Sequence, residues 1–399
     1  MNLSVIIVSY NVKCYLEQCI RSLFVSAREF SYEVWVVDNA SSDGSVEYIQ
    51  ERFSAKEYPQ LHLIANSRNV GFGRANNMAL ERATGERVLF LNPDTVLTER
   101  TLTDCFSLMD THPDVGAVGV KMLKNDGSFA LESRRGLPSP FTAFCKMSGL
   151  SGLFPKSRLF GKYYMRYLDE ETENPVDVIS GAFMMIPRKV LTYCGGFDED
   201  FFMYGEDIDL SYRLQKAGYA NFYVPTPILH YKGESTEKSS YRYVHVFYQA
   251  MLIFFDKHYN HYSFWFSIPI RIAIYARAVL ALLKQQVDHL KSMVQDPITK
   301  QRNEEKYLIV GTRDMIEEVE KLCKKWILDA TYQVVDDVTE YQGHESLTKE
   351  AGYKYVVYDI DFFGFDRILS YFKNHGGEQI GLYSMQTGNL ITAKNVYGK

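Results

Sequence analysis

Three features that would place this chain in a class at once are missing. No two of its six cysteines (Cys14, Cys19, Cys105, Cys145, Cys194 and Cys323) have the CxxC spacing of a zinc or redox site, and several fall inside apolar periodic segments. They read as reduced, buried thiols of a cytosolic protein. A broad positive surface is also lacking. With 44 Lys+Arg against 49 Asp+Glu the net charge is −5, which gives no basis for a nucleic-acid partner. There is no clean membrane span either. Tyr262–Leu283 is the most apolar long stretch, but Pro269, Arg271 and Arg277 interrupt it, and a spanning helix needs about 20 predominantly apolar residues. Repeats and low-complexity segments are absent. Met1-Asn2-Leu3-Ser4 runs straight into VIIVSY with no basic leader or cleavage site, so a cytoplasmic location is expected.

What is present is ordinary globular material: 399 residues, 46% hydrophobic and 23% charged, enough for two or three domains. The 29 Tyr and 25 Phe suit core packing better than stacking platforms. Buried parallel strands are predicted at Val5–Val8, Glu33–Asp38, Leu61–Ala65 and Arg87–Leu91. Between the first two, Val12, Leu16, Cys19, Ile20 and Leu23 recur at helical spacing, with Asn11 placed to cap that helix. Strand, helix, strand is the signature of an open α/β sheet, in which ligands bind beyond the carboxyl ends of the strands. The polar clusters Ser9-Tyr10-Asn11, Asp38-Asn39 and Asn92-Pro93-Asp94 fall at those ends.

From Gly127 to Asn174 the periodicity gives way to a Gly-, Pro- and aromatic-rich stretch, read as a mobile excursion over the site. Lys257–Arg302 carries seven Lys/Arg against two Asp and fits an amphipathic helix lying on an anionic membrane face, or else a dimer contact. From Tyr307-Leu-Ile-Val-Gly311 onward the pattern is that of a small Rossmann-like α/β unit. Strands are predicted at Tyr332–Val335, Tyr355–Tyr358 and Gln379–Tyr383, and a helix over 361–374. Its first turn lacks GxGxxG, so dinucleotide binding is unsupported and an accessory role is expected. The chain thus divides into residues 1–255, 256–302 and 303–399.

Several polar residues suit work on a nucleotide and a transferred group. Asp38 can accept hydrogen bonds from a base or ribose, or simply form the turn with the Ser- and Gly-rich residues after it. Arg68 opens the stretch RNVGFGRAN, where Gly71 and Gly73 permit close backbone approach and Asn76 lines the following helix, whose start favours an anion. Asp94 can hold Mg²⁺ or Mn²⁺ through a diphosphate, such metals using one or two carboxylates plus phosphate oxygens. Alternatively, Asn-Pro-Asp-Thr is merely a turn. His230 is a distant second ligand or a structural histidine. Glu206-Asp207-Ile-Asp209 opens an amphipathic helix, where acidic residues complement the dipole and Asp209 and Arg213 are spaced for an ordinary ion pair. The preceding aromatic, glycine-rich GGFDEDFFMYG delivers Asp207 toward a cleft.

In combination these motifs are more specific. The order VSYN, VVDNASSDGS, NVGFGRANN, LNPDT, SGAFMMIPR, GGFDEDFFMYGEDIDLSYRL and LHY resembles the family 2 glycosyltransferases of the GT-A type, most nearly their bacterial rhamnosyltransferase-like branch, over about Leu3 to Asp256. The resemblance implies a GT-A-type mixed sheet flanked by helices, a nucleotide-binding half followed by an acceptor half, and single inverting displacement. It assigns Ser9, Tyr10, Asn11, Asp38, Arg68, Asn76 and Asn92 to the nucleotide, Asp94 and His230 to a divalent metal (Mg or Mn), and Asp207 to the general base, positioned by Glu206. The implied partners are a dTDP- or UDP-sugar donor and a lipid-linked or oligosaccharide acceptor, with peripheral contact at the inner membrane surface. One departure stands out: Asn92-Pro93-Asp94 occupies the turn where most of the family have Asp-x-Asp, a form common in the rhamnosyltransferase-like branch. A nucleotidyltransferase would want a Gly- and Lys-rich loop near the N-terminus, which is lacking. A non-catalytic sugar-nucleotide-binding scaffold would be expected to lack the acidic pair or the metal carboxylate, and both are present.

Overall fold

The computed structural model describes residues 1–231, 241–259, 305–349, 352–373 and 377–398, with isolated positions at 275, 279 and 286. Most of the basic segment expected over 256–302 therefore lies outside the described residues. Among those described, no helix is long and apolar enough to cross a membrane.

Strand β1 (Leu3–Ser9) is buried at every position, as a β-branched run is when both sheet faces are covered. It lies parallel between β2 (Tyr32–Asp38) and β4 (Arg87–Leu91), with β3 (Leu61–Ala65) parallel beyond β2. Past β4 the sheet becomes mixed. β5 (Thr95–Leu97), β6 (Val115–Leu123), β7 (Asn174–Val176), β8 (Phe183–Pro187) and β9 (Ala220–His230) complete nine strands in the order β3-β2-β1-β4-β8-β6-β9-β5, with β7 paired to β9. One face is covered by helices Lys13–Ser26 and Thr101–Thr111, the other by Phe72–Leu80, Arg188–Cys194 and Glu206–Lys216. This is the flanked mixed sheet that the motifs imply.

Helix Lys13–Ser26 buries the predicted stripe of Leu16, Cys19, Ile20 and Leu23, but Asn11 does not cap it. Val12 holds the cap position. Asn11 sits in the left-handed region (φ 57°), which Asn tolerates, and its side-chain oxygen accepts from the Ser42 N–H at 2.7 Å. All six cysteines are free thiols.

A second sheet follows: β10 (Lys306–Gly311), β11 (Asp329–Val334), β12 (Tyr355–Asp359), β13 (Gln379–Ser384), β14 (Asn389–Thr392) and β15 (Val396–Tyr397), in the order β11-β10-β12-β13-β14-β15. The first four are parallel and the last two join antiparallel. The helix predicted over 361–374 is divided at Gly364 (φ 74°) into Ile360–Phe363 and Phe365–Tyr371. This unit packs on the first one. Val12, Tyr15, Val96, Leu229 and Tyr231 share a core with Val310, Tyr358, Phe363 and Ile368. The Tyr15 hydroxyl donates to the Thr392 carbonyl at 2.8 Å, and Glu99 accepts from the Phe365 and Asp366 N–H groups at 2.7 and 2.9 Å.

Helix Tyr241–Tyr259 runs through the boundary expected at 255. Its last turns bury Phe254, Phe255 and Tyr259 beside Phe201, and His258 contacts Asp209 at 2.6 Å. The excursion between β6 and β7 is tied down rather than loose: Gly136 N–H bonds the Tyr163 carbonyl at 2.9 Å, and Arg135 and Val178 bridge as paired strands.

Candidate active site

Strand order reverses at β1, whose neighbours are β2 on one side and β4 on the other, and the crevice at such a point is where open α/β sheets take ligands. Ser9 ends β1, Asp38 ends β2 and Asn92–Asp94 follows β4. Asp38 is 2% exposed. One of its oxygens accepts from the Ser41 N–H at 2.9 Å and the other, Oδ2, meets no protein donor. Ser9 Oγ is buried and equally unpartnered, while Tyr10 stands 38% exposed beside it. Buried polar atoms in native proteins are satisfied, so orphans gathered at a crevice mark where a ligand supplies the missing groups.

The RNVGFGRAN stretch divides its labour differently from what the sequence suggests. Arg68 is exposed at the rim. Asn76 is buried inside helix Phe72–Leu80 and donates to the Phe72 carbonyl at 2.9 Å, so its amide N–H supports the helix itself. The close approach permitted by Gly71 (φ 90°) is made by protein: a Cβ there would lie 2.8 Å from the Phe202 carbonyl oxygen, which already accepts the Phe72 N–H at 2.8 Å. The glycines thus join this helix to the aromatic loop before Glu206. Asn39, placed at a strand end by the sequence but given no role of its own, organises the same loop, accepting from Val70 N–H and donating to the Asn69 side chain, both at 3.0 Å.

Asp94 and His230 are far apart in sequence and adjacent in space. Pro93 ends the run after β4, and β5 then pairs antiparallel with β9 in the register Thr95 to His230. His230 Nε2 comes within 3.4 Å of Asp94 Oδ1, both side chains being nearly buried, while His230 Nδ1 has no partner. Among the described residues no cluster of three or more His, Cys, Asp or Glu side chains is placed to hold a metal. Two convergent ligands fit a hard cation that takes its remaining oxygens from a diphosphate and water.

The acidic cluster resolves into separate roles. Tyr204 (φ 68°) and Gly205 (φ 86°) turn the chain through the left-handed region into helix Glu206–Lys216. Asp209 is structural, as its spacing suggests, held by Arg213 at 2.7 Å and His258 at 2.6 Å. Asp207 faces the other way. Its Oδ2 accepts from Arg135 Nη2 at 2.5 Å and from the Gly181 N–H at 3.1 Å. Glu206 is buried with Oε2 unpartnered; burial, then the Asp207 charge, pushes its carboxyl up to about 8, which favours its protonated form. Two neighbouring carboxyl groups in unlike environments are a recurrent device for holding one proton while the other group acts as base.

Arg135 is the residue that sequence reasoning missed. Its burial opposes the charge, but the Asp207 carboxylate more than offsets this and keeps the guanidinium cationic. Neighbouring Arg134 fixes the backbone by donating to the Leu168 carbonyl at 2.7 Å and to the Asp169 carbonyl at 2.5 Å while lying over the Phe129 and Tyr223 rings. The only available signal was a paired arginine at the start of an otherwise irregular stretch. One short segment links Asp207 to the Asn92–Asp94 turn: Gly181 N–H reaches Asp207, and the next carbonyl, Ala182, accepts the Asn92 N–H at 2.9 Å.

Residues 4–195 match the family model described as Glycosyl transferase family 2. The chain is 30% identical over 322 residues to the N-acetylglucosaminyl-diphospho-decaprenol L-rhamnosyltransferase of Mycobacterium tuberculosis, covering 77% of this chain and 98% of that one. It is 26% identical over 232 residues to Rhamnosyltransferase WbbL of Escherichia coli, covering 55% of this chain and 80% of that one. Among solved structures it is similar to the mannosyltransferase PcManGT of Pyrobaculum calidifontis in complex with GDP-Man and Mn²⁺, at 19% identity and a TM-score of 0.43 over 74% of this chain and 76% of that one. With its motifs in order, its sheet as they imply and a full-length relative at this identity, the chain is a glycosyltransferase and belongs to glycosyl transferase family 2.

Proposed function

We propose that this enzyme transfers a sugar, with inversion, from a dTDP- or UDP-sugar to a lipid-linked or polysaccharide acceptor at the cytoplasmic face of the membrane, rhamnose being the favoured donor sugar. The observation that carries the reading is the backbone link through Gly181 and Ala182 between Asp207 and the Asn92–Asp94 turn, which joins a base to a diphosphate site. The mycobacterial relative is an N-acetylglucosaminyl-diphospho-decaprenol L-rhamnosyltransferase, which supports the choice of donor and acceptor.

In this scheme Ser9, Tyr10, Asn11, Asp38, Arg68, Asn76 and Asn92 line or support the nucleotide site. Asp38 Oδ2 and Ser9 Oγ supply its unpartnered acceptors. Asp94 and His230 would hold a divalent cation, and that cation would neutralise charge on the leaving diphosphate when bound. Asp207 takes the proton of the acceptor hydroxyl as that oxygen attacks the anomeric carbon from the face opposite the leaving group. The bond to the diphosphate breaks with its electron pair moving to the leaving oxygen, and no covalent intermediate forms. Protonated Glu206 sits beside Asp207 without adding a second charge, its unpartnered Oε2 left to bond the incoming acceptor, and Arg135 orients Asp207 until that acceptor arrives. Residues 1–255 carry this chemistry, 256–302 contact the membrane and 303–399 serve as an accessory unit.

The test is product stereochemistry. Incubating dTDP-rhamnose and UDP-hexoses with acceptor and divalent metal, then assigning the new anomeric centre by NMR, should give product from the dTDP-sugar with inverted configuration. Retained configuration would exclude the single displacement.

A further inference from the structure

The tied-down excursion leaves a cluster of large apolar side chains in solvent: Phe141 is 46% exposed, Leu153 70%, Phe154 48% and Leu159 57%. They are not loosely hung. Leu153 ends a short helix and Phe154 follows it, the Ser157 hydroxyl accepts from the Leu159 and Phe160 N–H groups at 3.2 Å, and Gly161 N–H closes back on the Ser157 carbonyl at 2.8 Å. The Phe160 ring lies 5.6 Å from Phe154 and 6.4 Å from Phe141, so the projecting residues form one aromatic-backed knuckle.

Its charge is equally one-sided. From Gly136 to Leu168 the chain has five basic residues (Lys146, Lys156, Arg158, Lys162 and Arg166) and no acidic one, the acids of this excursion lying outside that stretch, four of them at Asp169, Glu170, Glu171 and Glu173. Lys156 and Arg158 are exposed on the apolar turn itself. Exposed apolar side chains interleaved with the two exposed cations Lys156 and Arg158 match a bilayer interface with anionic headgroups. The root of the same excursion is Arg135 on Asp207, and Lys146 lies 3.6 Å over the ring of Tyr163, whose backbone holds Gly136. The knuckle is thus joined to Asp207 through Tyr163, Gly136 and Arg135.

We propose that the knuckle of residues 153–160, with Phe141, is a membrane-docking surface that inserts into an anionic bilayer and presents a lipid-linked acceptor to Asp207. It rests on the lipid-acceptor reading above for its purpose, but it is tested without any sugar nucleotide. The full chain is co-sedimented with phosphatidylcholine vesicles and with phosphatidylcholine–phosphatidylglycerol vesicles. Wild type should bind the anionic vesicles. Lys156→Gln with Arg158→Gln should weaken that binding roughly 10- to 30-fold, at about fivefold per cation. The triple variant Leu153→Ser, Phe154→Ser, Leu159→Ser should weaken it at least about tenfold. Turnover of a short water-soluble acceptor should be unchanged in the triple variant, while KM for the same acceptor on a lipid in vesicles rises. Failure of wild type to bind, or binding unaltered in both variants, overturns the proposal. So does a triple variant that binds vesicles normally but changes oligomeric mass in solution, which would make the knuckle a contact between copies.

Discussion

The molecule contains two sheets in which the chain reverses its direction of growth, and the carboxylates that close their strands are used differently. At the carboxyl edge of the first, Asp38 Oδ2, Ser9 Oγ, Glu206 Oε2 and His230 Nδ1 are buried without a protein partner. At the corresponding edge of the second, Asp359 closes β12 as Asp38 closes β2, but its oxygens are engaged by the Asp361 N–H at 3.1 Å and the Thr312 hydroxyl at 3.5 Å. Asp361 in turn accepts from Met385 N–H and the Ser384 hydroxyl. The contrast between Asp38 and Asp359 teaches that topology offers a crevice, whereas a strand-end carboxylate with an oxygen left unpartnered is what suits it to a ligand.

The comparison breaks most visibly at Asp207. Its replacement by Ala should lower kcat about 10³- to 10⁴-fold, as loss of a general base does, with donor affinity kept within a few-fold in equilibrium binding. Next, Asp94→Ala should reduce turnover roughly 10²-fold and weaken dependence on Mn²⁺, read from metal titrations of the rate. Arg135→Met leaves the nearly buried Asp207 without its cation and should lower stability by about 3 kcal/mol in urea unfolding; Arg135→Lys should recover part of both stability and rate.

Smaller effects sharpen the contrast through pH. The folded state raises the Glu206 carboxyl from 4.5 to about 8, so it holds a proton that the unfolded chain has released. That contribution to stability is complete below 4.5 and is lost as pH rises through about 8. Glu206→Gln should flatten the fall of Tm across that window. Asp359 is raised by burial from 3.8 to about 6, so Asp359→Asn should flatten only the narrower window between those values.

How much was legible beforehand follows from locality. The limits of β3 and β4 agree with the sequence because apolar β-branched runs bounded by polar turns declare themselves. β9 was hidden by Pro225 and Pro227, residues that argue against an inner strand; a register shift where β6 meets it absorbs them. β14 and β15 escaped notice because four- and two-residue strands carry little periodicity. Within the candidate site, motif order singles out Asp94, His230 and Asp207, though nothing local says that β5 and β9 bring the first two together. Gly71 was read as room for a ligand and proves to be room for Phe202. Arg135 was unreadable because its importance lies in a bridge to Val178 and a bond to Asp207, both made only when the excursion folds back.

The most direct test compares the two sheet edges in a single assay. Initial rates of sugar transfer are measured for wild type, Asp207→Asn and Asp359→Asn under saturating donor and metal. The account predicts a loss of about 10³-fold or more for Asp207→Asn and a wild-type rate for Asp359→Asn. Near-normal transfer by Asp207→Asn, or equal losses in both variants, would contradict it.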